Sequence, residues 1–503
     1  MNNITKRILK ARGYETEKEM ENFINPQPHD RKLMKNITEV SNKIKEYIDK
    51  KITIFGDYDC DGITSTTIMY KTLKHLGANP SYYIPERIEG YSLSKQAIDK
   101  IDADLIITVD CGISSHDEIK YAQSQGIEVV VTDHHEGTEP PCLYVNPKVG
   151  GQYPFKNLAG VGVTYKVCQE LLDKELDTLI DYVAFATVAD VMPLVDENRW
   201  IVRQGLKRLN KYPSRPFKMM MDKLNTKKEI SAGYIGFVLA PIINAGGRMN
   251  DAKTAIRFML QEDEDYLLRE NLNVLVGYNR DRKALQEKMQ DEIEYDATKN
   301  IIIGDYPMQR GLVGLVAGDL KEKYDKPAIV IDSDTGKGSC RSIHPFDITE
   351  GLSKASDLLV DYGGHKLAAG FKIKEGKIEE FKQRMYKITE NMEYSIIKYD
   401  DIINPYSITK SKVKDLDILE PFGAGNPRPK FLLENVKPYN IKVLKDKHLK
   451  FTVDGGIKCI AFGYNNRQLV ENEVDLIVKP DINYYAGNEY LQFIIARIIQ
   501  KEE

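Results

Sequence analysis

Three aspartates stand at alternate positions in the stretch FGDYDCDGITS, residues 55–65: Asp57, Asp59 and Asp61. Carboxylates this close repel one another and raise one another's pKa, so such a stretch normally needs a cation to neutralise it. Asp and Gly are also common in solvated turns, and a turn without function is one interpretation. A calcium loop is a second, because an EF-hand loop opens with D-x-D-x-D-G. A catalytic metal site on a strand-to-helix turn is the third.

The calcium-loop interpretation does not fit the neighbouring residues. An EF-hand needs a helix before its loop and a bidentate Glu at the last loop position. Counted from Asp57, that position is Ile68. The preceding KKITIFG is rich in β-branched and aromatic residues, which favours a strand.

Further acids follow other predicted strands. Asp110 ends DLIITVD, and Asp133 ends IEVVVTD just before His134 and His135. Ligands of an open α/β sheet bind beyond the carboxyl ends of its strands, so these clusters are expected to share one edge. Asp190 lies in the hydrophobic run ATVADVMPL, where a buried Asp is costly unless it is paired or bound to metal. A helix-terminal cap is the alternative for Asp190.

This donor set indicates a particular chemistry. Carboxylates with imidazole and without thiolate suit Mn²⁺ or Mg²⁺. There are enough of them for two ions about 3.5–4 Å apart, which clamp the attacking and leaving oxygens of a phosphoryl centre. The predicted reaction is metal-assisted phosphoester hydrolysis. An ordinary surface pair is the alternative for the two histidines, but the chain has only eight and two fall together at a strand end.

The elements that must position these residues follow from the pattern of the chain. Strands such as KITIF and DLIITV alternate with helices such as ITSTTIMYKTLKHLG, which predicts α/β architecture with a doubly wound, mostly parallel sheet. Five short strands near the C-terminus favour a small barrel of the OB type. The predicted divisions are an N-terminal helical segment (1–50), a catalytic domain (51–261), a long connecting helix (262–298), a second α/β domain (299–395) and the OB-like domain (396–503).

Composition narrows the class of protein. The 503 residues carry a net charge of −4, so a phosphate-binding surface must be local or helped by metal ions. The six cysteines form no C-x-x-C pair, which favours a reduced, cytoplasmic protein over a zinc ribbon or a disulfide framework. No apolar run reaches membrane length and the N-terminus is too polar for a signal peptide, so no membrane association is expected.

The motifs resemble a known superfamily. DYDCDG, VDCG, TDHH and ATVADVMPL are similar, in order, to the four motifs of the DHH phosphoesterases. Longer stretches resemble the RecJ-like single-strand-specific exonucleases over essentially the whole chain: YPFKNLAGVGVTYK, ENRWIVRQGL, INAGGRM, GLVGLVAGDL, GSCRSI, GGHKLAAGF and EPFGAGNPRPKF. The resemblance implies a 5′→3′ exonuclease that degrades single-stranded DNA to 5′ mononucleotides in recombination and repair. It also implies two Mn²⁺ or Mg²⁺ ions, with a single-stranded-DNA-binding protein and a RecQ-type helicase as protein partners.

The resemblance also implies roles for individual residues. One ion would be held by Asp57, Asp59, Asp110 and Asp190, and the other by Asp61, Asp110, His134 and Asp190. His135 would contact the scissile phosphate, and Asp133 would orient a histidine. The implied catalytic set is Asp110, Asp133, His134 and His135. The implied substrate-binding residues, the later ones in a DHH-associated (DHHA1-type) domain, are Asn244, Arg248, Ser339, Arg341, Ser342, Gly364 and His365. Aromatic residues of the barrel could stack bases, or could equally form its core.

Some positions depart from the family pattern, and other functions stay open. Ile242 and Gly246 replace residues of the family's P-R-I-N-A-A-G-R stretch, and Phe55 stands where many DHH enzymes have a His ligand. One alternative is a DHH phosphodiesterase of short oligoribonucleotides or cyclic dinucleotides, which usually lacks the barrel and EPFGAGNP. Another is a non-catalytic single-stranded-DNA-binding scaffold, against which the complete set of acids argues.

Overall fold

The computed structural model describes residues 3–87, 89–249, 251–261, 264–308, 311–392, 399–485 and 487–500. The contacts within the chain divide it into two units. The first comprises Met1–Asn279 together with Lys414–Arg428, and the second comprises Arg280–Val413 together with Pro429–Glu503.

A sheet of five parallel strands, in the order β2-β1-β3-β4-β5, lies in the first unit. Its strands are β1 (Ile52–Gly56), β2 (Ser81–Tyr83), β3 (Leu105–Val109), β4 (Glu128–Thr132) and β5 (Leu143–Val145). Strands β1 and β3 are buried throughout, as expected of parallel strands covered on both faces. In register, Gly56 lies beside Val109, Val109 beside Thr132, and Thr132 beside Val145. The residues that follow these strands therefore leave the sheet along one edge, and the predicted parallel sheet is confirmed.

Helices pack on both faces of this sheet and then continue beyond it. Three precede β1: α1 (Asn3–Ala11), α2 (Glu17–Ile24) and α3 (Ile37–Lys45). Those between the strands are α4 (Cys60–His75), α5 (Lys95–Ile98) and α6 (His116–Ser124). Those after β5 are α7 (Gly160–Leu172), α8 (Ile180–Ala189), α9 (Asp196–Lys211), α10 (Arg215–Lys223), α11 (Ala232–Tyr234), α12 (Ala240–Arg248) and α13 (Ala252–Leu260), with a π-helical turn at Ile235–Leu239.

A long helix, α14 (Asp265–Glu292), runs for 28 residues. The sequence predicts a connecting helix over 262–298, of which 262 and 263 lie outside the described residues. The helix ends before 298 because the chain becomes extended there, and Glu294 pairs with Asp305 across an antiparallel bridge. Of the helices within the described ranges, none is both long and apolar enough to cross a membrane.

The second unit contains a mixed sheet in the order β6-β7-β8-β10-β9. Its strands are β6 (Ile302–Tyr306), β7 (Ala328–Asp332), β8 (Lys337–Arg341), β9 (Leu359–His365) and β10 (Ala368–Ile373). Its helices are α15 (Val313–Tyr324), α16 (Ile348–Ser353) and α17 (Ile378–Thr389). Only β6 and β7 pair in parallel, and the other neighbours are antiparallel. The predicted second α/β fold is confirmed.

The C-terminal sheet has seven strands, in the order β11-β12-β16-β17-β15-β14-β13. They are β11 (Asp401–Ile402), β12 (Phe431–Val436), β13 (Tyr439–Leu444), β14 (His448–Val453), β15 (Ile457–Phe462), β16 (Val474–Tyr485) and β17 (Asn488–Gln500). The last five match the predicted strands. The sequence prediction missed β11, which has two residues, and β12, which follows a Gly- and Pro-rich segment.

The Gly- and Pro-rich segment before β12 packs with the first unit. Helix α18 (Lys410–Lys414) leads into Lys414–Arg428, which packs with the first unit. The sequence analysis assigns these residues to the 396–503 domain, but their contacts lie in the first unit, because the guanidinium of Arg199 holds them there. Its Nη1 donates to the carbonyl of Leu419 at 2.8 Å and its Nη2 to that of Ile418 at 3.0 Å. We call residues 418–427 the strap.

Candidate metal centre

Acids and imidazoles meet at the edge where the parallel strands end. Asp57 follows β1, Asp110 follows β3, and Asp133, His134 and His135 follow β4. The backbone N–H groups of Asp110 and Asp133 still donate to carbonyls of neighbouring strands, at 3.0 and 3.1 Å. The sheet itself therefore fixes the spacing of the three clusters.

The aspartates of the DYDCDG motif form the turn from β1 into α4. Oδ1 of Asp59 caps the helix, accepting hydrogen bonds from the N–H groups of Asp61 at 2.9 Å and Gly62 at 3.1 Å. Because of this cap, α4 begins at Cys60, earlier than the apolar run alone predicts. Gly62 is required by close packing, since a Cβ there would lie 2.5 Å from the backbone N and O of Asp57.

The carboxylate of Asp61 is fixed by the start of α7. Its Oδ2 accepts a hydrogen bond from the N–H of Gly160 at 2.7 Å, and its Oδ1 accepts one from Val161 at 2.8 Å. The positive end of the helix dipole also favours this negative charge. Gly160 admits no side chain, because its Cβ would lie 2.3 Å from Oδ1 of Asp110. The AGVG part of the sequence thus brings two predicted ligands together.

Asp110 is held in an unusual conformation. Its φ is 61°, a left-handed value that non-glycine residues rarely adopt, and such strain often marks functional sites. The side chain is buried, and its Oδ1 has no hydrogen-bond partner within the described part of the chain. A buried carboxylate oxygen without a donor is costly, so this atom is a good candidate for a metal ligand.

His134 points an unprotonated nitrogen at the acids. Its Nδ1 lies 2.9 Å from the carbonyl of Leu158, which can only accept, so Nδ1 carries the proton. Burial lowers the pKa of His134 to about 4, so the ring is neutral at pH 7. Its Nε2 lies 3.2 Å from Oδ1 of Asp110 and 3.8 Å from Oδ2 of Asp190. A lone pair that faces two carboxylates is unfavourable unless a cation lies between them.

Asp133 and His135 form a separate hydrogen-bonded pair. Oδ1 of Asp133 accepts from Nδ1 of His135 at 2.8 Å and from the backbone N–H groups of His134 and His135, while Oδ2 accepts from Ile113 at 2.9 Å. Burial alone would raise the pKa of Asp133, but the hydrogen bond from His135 and the other donors lower it. Burial would likewise lower the pKa of His135, but Asp133 raises it above the ordinary value. His135 is therefore suited to carry a positive charge.

Asp190 reaches the same group from α8. It is the residue that ends this helix, so the cap interpretation and the ligand interpretation both apply to it. Its neighbour Val191 has φ 56°, which is strained for a β-branched residue. The turn directs the Asp190 carboxylate toward Asp61 and His134.

The electrostatics of the cluster are those of crowded, buried acids. Burial first, and repulsion by neighbouring carboxylates second, raise the pKa values of Asp57, Asp61, Asp110 and Asp190. For Asp61 the pKa rises to about 7. These are the conditions under which a bound cation replaces protons.

Three groups of side chains lie close enough to hold an ion. They are Asp57–Asp59–Asp110, Asp61–His134–Asp190 and Asp110–His134–His135, each with one ligand atom per residue and all such atoms within 4.8 Å of one another. Asp110 and His134 each belong to two of the groups. Oxygen ligands with one or two imidazole nitrogens fit Mn²⁺ or Mg²⁺. The structure thus brings together every residue that the sequence predicts as a metal ligand.

The predicted substrate residues of the first unit lie around the start of α4. Oδ1 of Asn244 accepts a hydrogen bond from the N–H of Cys60 at 2.8 Å, which makes it a support of the DYDCDG turn. A Cβ on Gly247 would lie 2.6 Å from the carbonyl oxygen of Tyr58, so Arg248, at the end of α12, is carried close to that turn. Ile242, where the family usually has Arg, is a buried core residue.

The predicted substrate residues of the second unit lie on or just after β8 and on β9, two strands that β10 separates. Arg341 of β8 and His365 of β9 both pair with Ala368 of β10, which runs between them. Nη1 of Arg341 donates to Oγ of Ser339 at 3.0 Å. Gly364 has φ 146° and leaves no room for a Cβ beside the carbonyl of Ala368. The hydroxyl of Ser342 is engaged within its own loop, donating to the carbonyl of Phe346 at 2.8 Å.

The sequence analysis missed two cations at the sheet edge. The guanidinium of Arg87, which follows β2, lies 5.1 Å from the centre of the Tyr58 ring. Lys148, which follows β5, opposes the rise in the pKa of Asp190 that burial and neighbouring carboxylates cause. Nearby, the Asn146 amide donates to the carbonyl of His135 at 3.0 Å. The rule that found the acids, inspection of residues just after each parallel strand, would have found these too.

Comparisons with known proteins match the described domains. A family model described as "DHH family, N-terminal domain" matches residues 51–188, one described as "DHHA1 domain" matches 299–391, and one described as "RecJ OB domain" matches 399–497. The last match confirms the predicted OB-like fold of the C-terminal strands.

Several relatives that match nearly the whole chain are named RecJ. The single-stranded-DNA-specific exonuclease RecJ of Bacillus subtilis (strain 168) is 35% identical in an alignment of 528 positions, which covers 97% of this chain and 67% of the relative. The crystal structure of RecJ in complex with Mn²⁺ from Thermus thermophilus superimposes with a TM-score of 0.87 at 28% identity, covering 99% of this chain and 76% of that one. The corresponding Mg²⁺ complex gives a TM-score of 0.80 at 27% identity, covering 99% and 75%.

Proposed function

This chain belongs to the RecJ family of single-stranded-DNA-specific exonucleases, and from this membership we propose that it shortens one DNA strand from the 5′ end, releasing 5′ mononucleotides. Exonuclease activity on single-stranded DNA follows from the family itself. The polarity, the product and a role in recombination and repair are the proposal. One observation supports the chemistry above all: Nε2 of His134 faces the carboxylates of Asp110 and Asp190 in a buried site.

Two Mn²⁺ or Mg²⁺ ions fit this donor set. We assign Asp57, Asp59, Asp110 and Asp190 to one, and Asp61, Asp110, His134 and Asp190 to the other. The observed groups support the division, because Asp57 and Asp59 gather with Asp110, whereas Asp61 gathers with His134 and Asp190. Such ions supply Lewis-acid stabilisation of phosphoryl charge and lower the pKa of a coordinated water, so no protein nucleophile is required.

The remaining residues orient the substrate and stabilise its charge. In the protonated ring of His135, Nδ1–H donates to Asp133, and Nε2–H is left to donate to an oxygen of the scissile phosphate. Asp133 raises the pKa of His135 against the effect of burial, which favours the protonated ring, and its hydrogen bond fixes the orientation of that ring. Arg248 and Arg87 are the phosphate-binding residues of the first unit, and Ser339, Arg341 and His365 are those of the second. Asn244, Ser342 and Gly364 shape the backbone near them. Arg–phosphate pairs are strong when they are bidentate.

Two other functions fit the chain less well. A phosphodiesterase of short oligoribonucleotides or cyclic dinucleotides does not need an OB domain, yet residues 399–497 match the model of one. A non-catalytic scaffold has no reason to keep four buried acids whose pKa values are raised by burial and mutual repulsion.

The assay that tests the proposal uses one oligonucleotide labelled at its 5′ end and the same one labelled at its 3′ end, with Mn²⁺ or with EDTA. Immediate release of 5′-labelled mononucleotide, dependent on metal, supports the proposed polarity. Early release of the 3′ label contradicts it. A duplex, an RNA oligomer and a cyclic dinucleotide serve as competing substrates, and cleavage confined to the last two favours the phosphodiesterase. Binding without turnover favours the scaffold.

The wider context is also a proposal. We divide the chain into the helical segment 1–50, the catalytic domain 51–261, the connecting helix 262–298, the DHHA1-type domain 299–395 and the OB domain 396–503. The family resemblance supports a single-stranded-DNA-binding protein and a RecQ-type helicase as partners, which co-purification with the full chain would test.

All six cysteines are free thiols, which supports the cytoplasm as the location.

A further inference from the structure

The first turn of helix α9 contains three consecutive buried polar residues, Glu197, Asn198 and Arg199, each 0% exposed. They belong to the ENRWIVRQGL stretch, to which the proposed function assigns no role. Charged residues are rarely fully buried unless they are paired, so each should have a partner that explains it. Glu197 lies against Lys166 and accepts from the Tyr153 hydroxyl at 2.6 Å, and Arg199 holds the strap. Asn198 has a different pair of partners.

The amide of Asn198 joins two segments that lead to the metal centre. Its Nδ2 donates to the carbonyl of Asn157 at 2.6 Å and to that of Pro193 at 3.1 Å. Its Oδ1 has no hydrogen-bond partner among the described residues, and both facing atoms are carbonyl oxygens, which fixes the orientation of the amide. Asn157 precedes Leu158, whose carbonyl orients His134. Pro193 lies in residues 190–195, which connect α8 to α9 and which we call the Asp190 loop.

We propose that Asn198 is a positioning residue of the metal centre, which fixes the Asp190 loop relative to the segment that orients His134. The inference rests on the proposed function, because it takes Asp190 and His134 as metal ligands. Groups that hydrogen-bond directly to metal ligands typically contribute about 10–100-fold to metal affinity, and we take this range for Asn198, which acts one backbone segment further from the ions.

The strap holds the same loop from a second direction. The N–H of Leu194 donates to the carbonyl of Ala424 at 2.7 Å. A Cβ on Gly425 would lie 2.9 Å from Cβ and 3.2 Å from Cα of Pro193. The amide of Asn426 in turn donates to two carbonyls within the strap, at 2.7 and 2.8 Å. The loop is thus fixed between Asn198 on one side and the strap on the other.

The conformation of the loop shows why such support is needed. Val191 has φ 56°, a strained value for a β-branched side chain, and its side chain is 70% exposed. Its own packing therefore does little to maintain this conformation. Strained residues persist only when the surroundings determine them. Without its two supports the loop would relax, and the Asp190 carboxylate would move with it.

The first test compares Asn198→Ala with Asn210→Ala. Asn210 lies on the same helix, and its amide also donates to two backbone carbonyls, those of Leu206 and Ile230, both at 2.9 Å. Mn²⁺ binding to the full-length protein is measured without DNA, from the electron paramagnetic resonance signal of free Mn²⁺. We expect Asn198→Ala to weaken binding about 10–100-fold and Asn210→Ala to leave it unchanged. Thermal unfolding in EDTA shows whether each variant is folded.

The second test acts from the strap and does not alter Asn198. Gly425→Ala drives a methyl group into Pro193. Gly456 has a similar φ, 71° compared with 68° for Gly425, but a Cβ added at Gly456 would meet no described atom within 4 Å, so Gly456→Ala is the control. The two variants share the cost of a left-handed alanine, so only the contact with the Asp190 loop differs. We expect weaker Mn²⁺ binding in Gly425→Ala alone. This pair decides the question if Asn198→Ala does not fold.

Two failures are distinguishable. Wild-type protein that binds no Mn²⁺ would overturn the proposed function itself. Wild-type protein that binds Mn²⁺, with Gly425→Ala and every folded Asn198 variant binding it equally well, would refute the positioning role and leave the metal site intact.

Discussion

Mn²⁺ affinity should fall steeply as the pH is lowered from 8 to 6, because protons and the ion compete for the same carboxylates. Burial and the neighbouring Asp59 raise the pKa of Asp61 to about 7. The raised pKa means that the protonated form persists to neutral pH in the metal-free protein. That proton must leave before the carboxylate binds a cation, so affinity rises with pH.

The size of the effect follows from that value. With a pKa of about 7, about nine tenths of Asp61 is protonated at pH 6 and about one tenth at pH 8. This single group therefore lowers the apparent Mn²⁺ affinity about tenfold at pH 6 relative to pH 8, or about 1.4 kcal/mol. The raised pKa values of Asp57, Asp110 and Asp190 act in the same direction, so tenfold is a lower bound. His134, with a pKa of about 4, is neutral at both pH values and contributes nothing.

Isothermal titration of the full chain with Mn²⁺ at pH 6, 7 and 8, in buffers of different ionisation enthalpy, measures both the affinity and the protons released. Asp181→Asn is the matched control, because Asp181 is also a buried acid with a pKa raised by burial but contacts Arg208 instead of the metal site. We expect this variant to retain the pH dependence. An affinity that is equal at pH 6 and pH 8, with no proton release, would show that the acids are not crowded in the way described.

Four substitutions test other parts of the site. Asp110→Ala should abolish cleavage while single-stranded DNA binding in EDTA changes little, and near-normal turnover in Mn²⁺ would rule out a shared ligand. Gly160→Ala places a Cβ 2.3 Å from Oδ1 of Asp110, so Mn²⁺ binding should be lost in a protein that still unfolds cooperatively. Asp133→Asn turns an amide donor toward a backbone N–H and should cost about 1–3 kcal/mol of stability and about 10–100-fold in turnover, measured by denaturation and single-turnover kinetics. Phe462→Ala, which removes a ring that is 57% exposed on the C-terminal sheet, should weaken single-stranded DNA binding by roughly 1–3 kcal/mol without changing turnover at saturation; unchanged affinity would exclude base stacking there.

The location of the metal centre could be predicted because it depends on a rule of topology. Once three strands are recognised as parallel neighbours, the residues after them must share an edge, and Asp57, Asp110 and Asp133 follow directly. The same rule extends to Arg87 and Lys148. Arg87 lies four residues beyond β2, and β5, the strand before Lys148, has only three residues and gives a weak pattern. Intervening residues and short strands are thus the practical limits of this approach.

Local chemistry that depends on distant partners could not be predicted. Nothing in the residues around Asp61 indicates that the start of α7 supplies its two hydrogen bonds, because those donors lie about a hundred positions away in the chain. The tautomer of His134 likewise depends on the carbonyl of Leu158. The strap is the extreme case: in sequence it lies between the two stretches of the second unit, yet it packs with the first unit, where Arg199 holds it.

The construction of the site explains why so much of the first unit is committed to holding it. Four acids with raised pKa values destabilise the folded state wherever they must ionise without a cation, so the apo site favours any movement that separates them. Glycines at 62 and 160 allow contacts too close for any side chain, and they keep the acid-bearing segments together against that repulsion. The buried polar start of α9 opposes the same movement from the side of Asp190. Ion binding and the rigidity of the scaffold are therefore linked: each support that is removed should weaken Mn²⁺ binding, and bound Mn²⁺ should in turn restore part of the stability that the variant has lost.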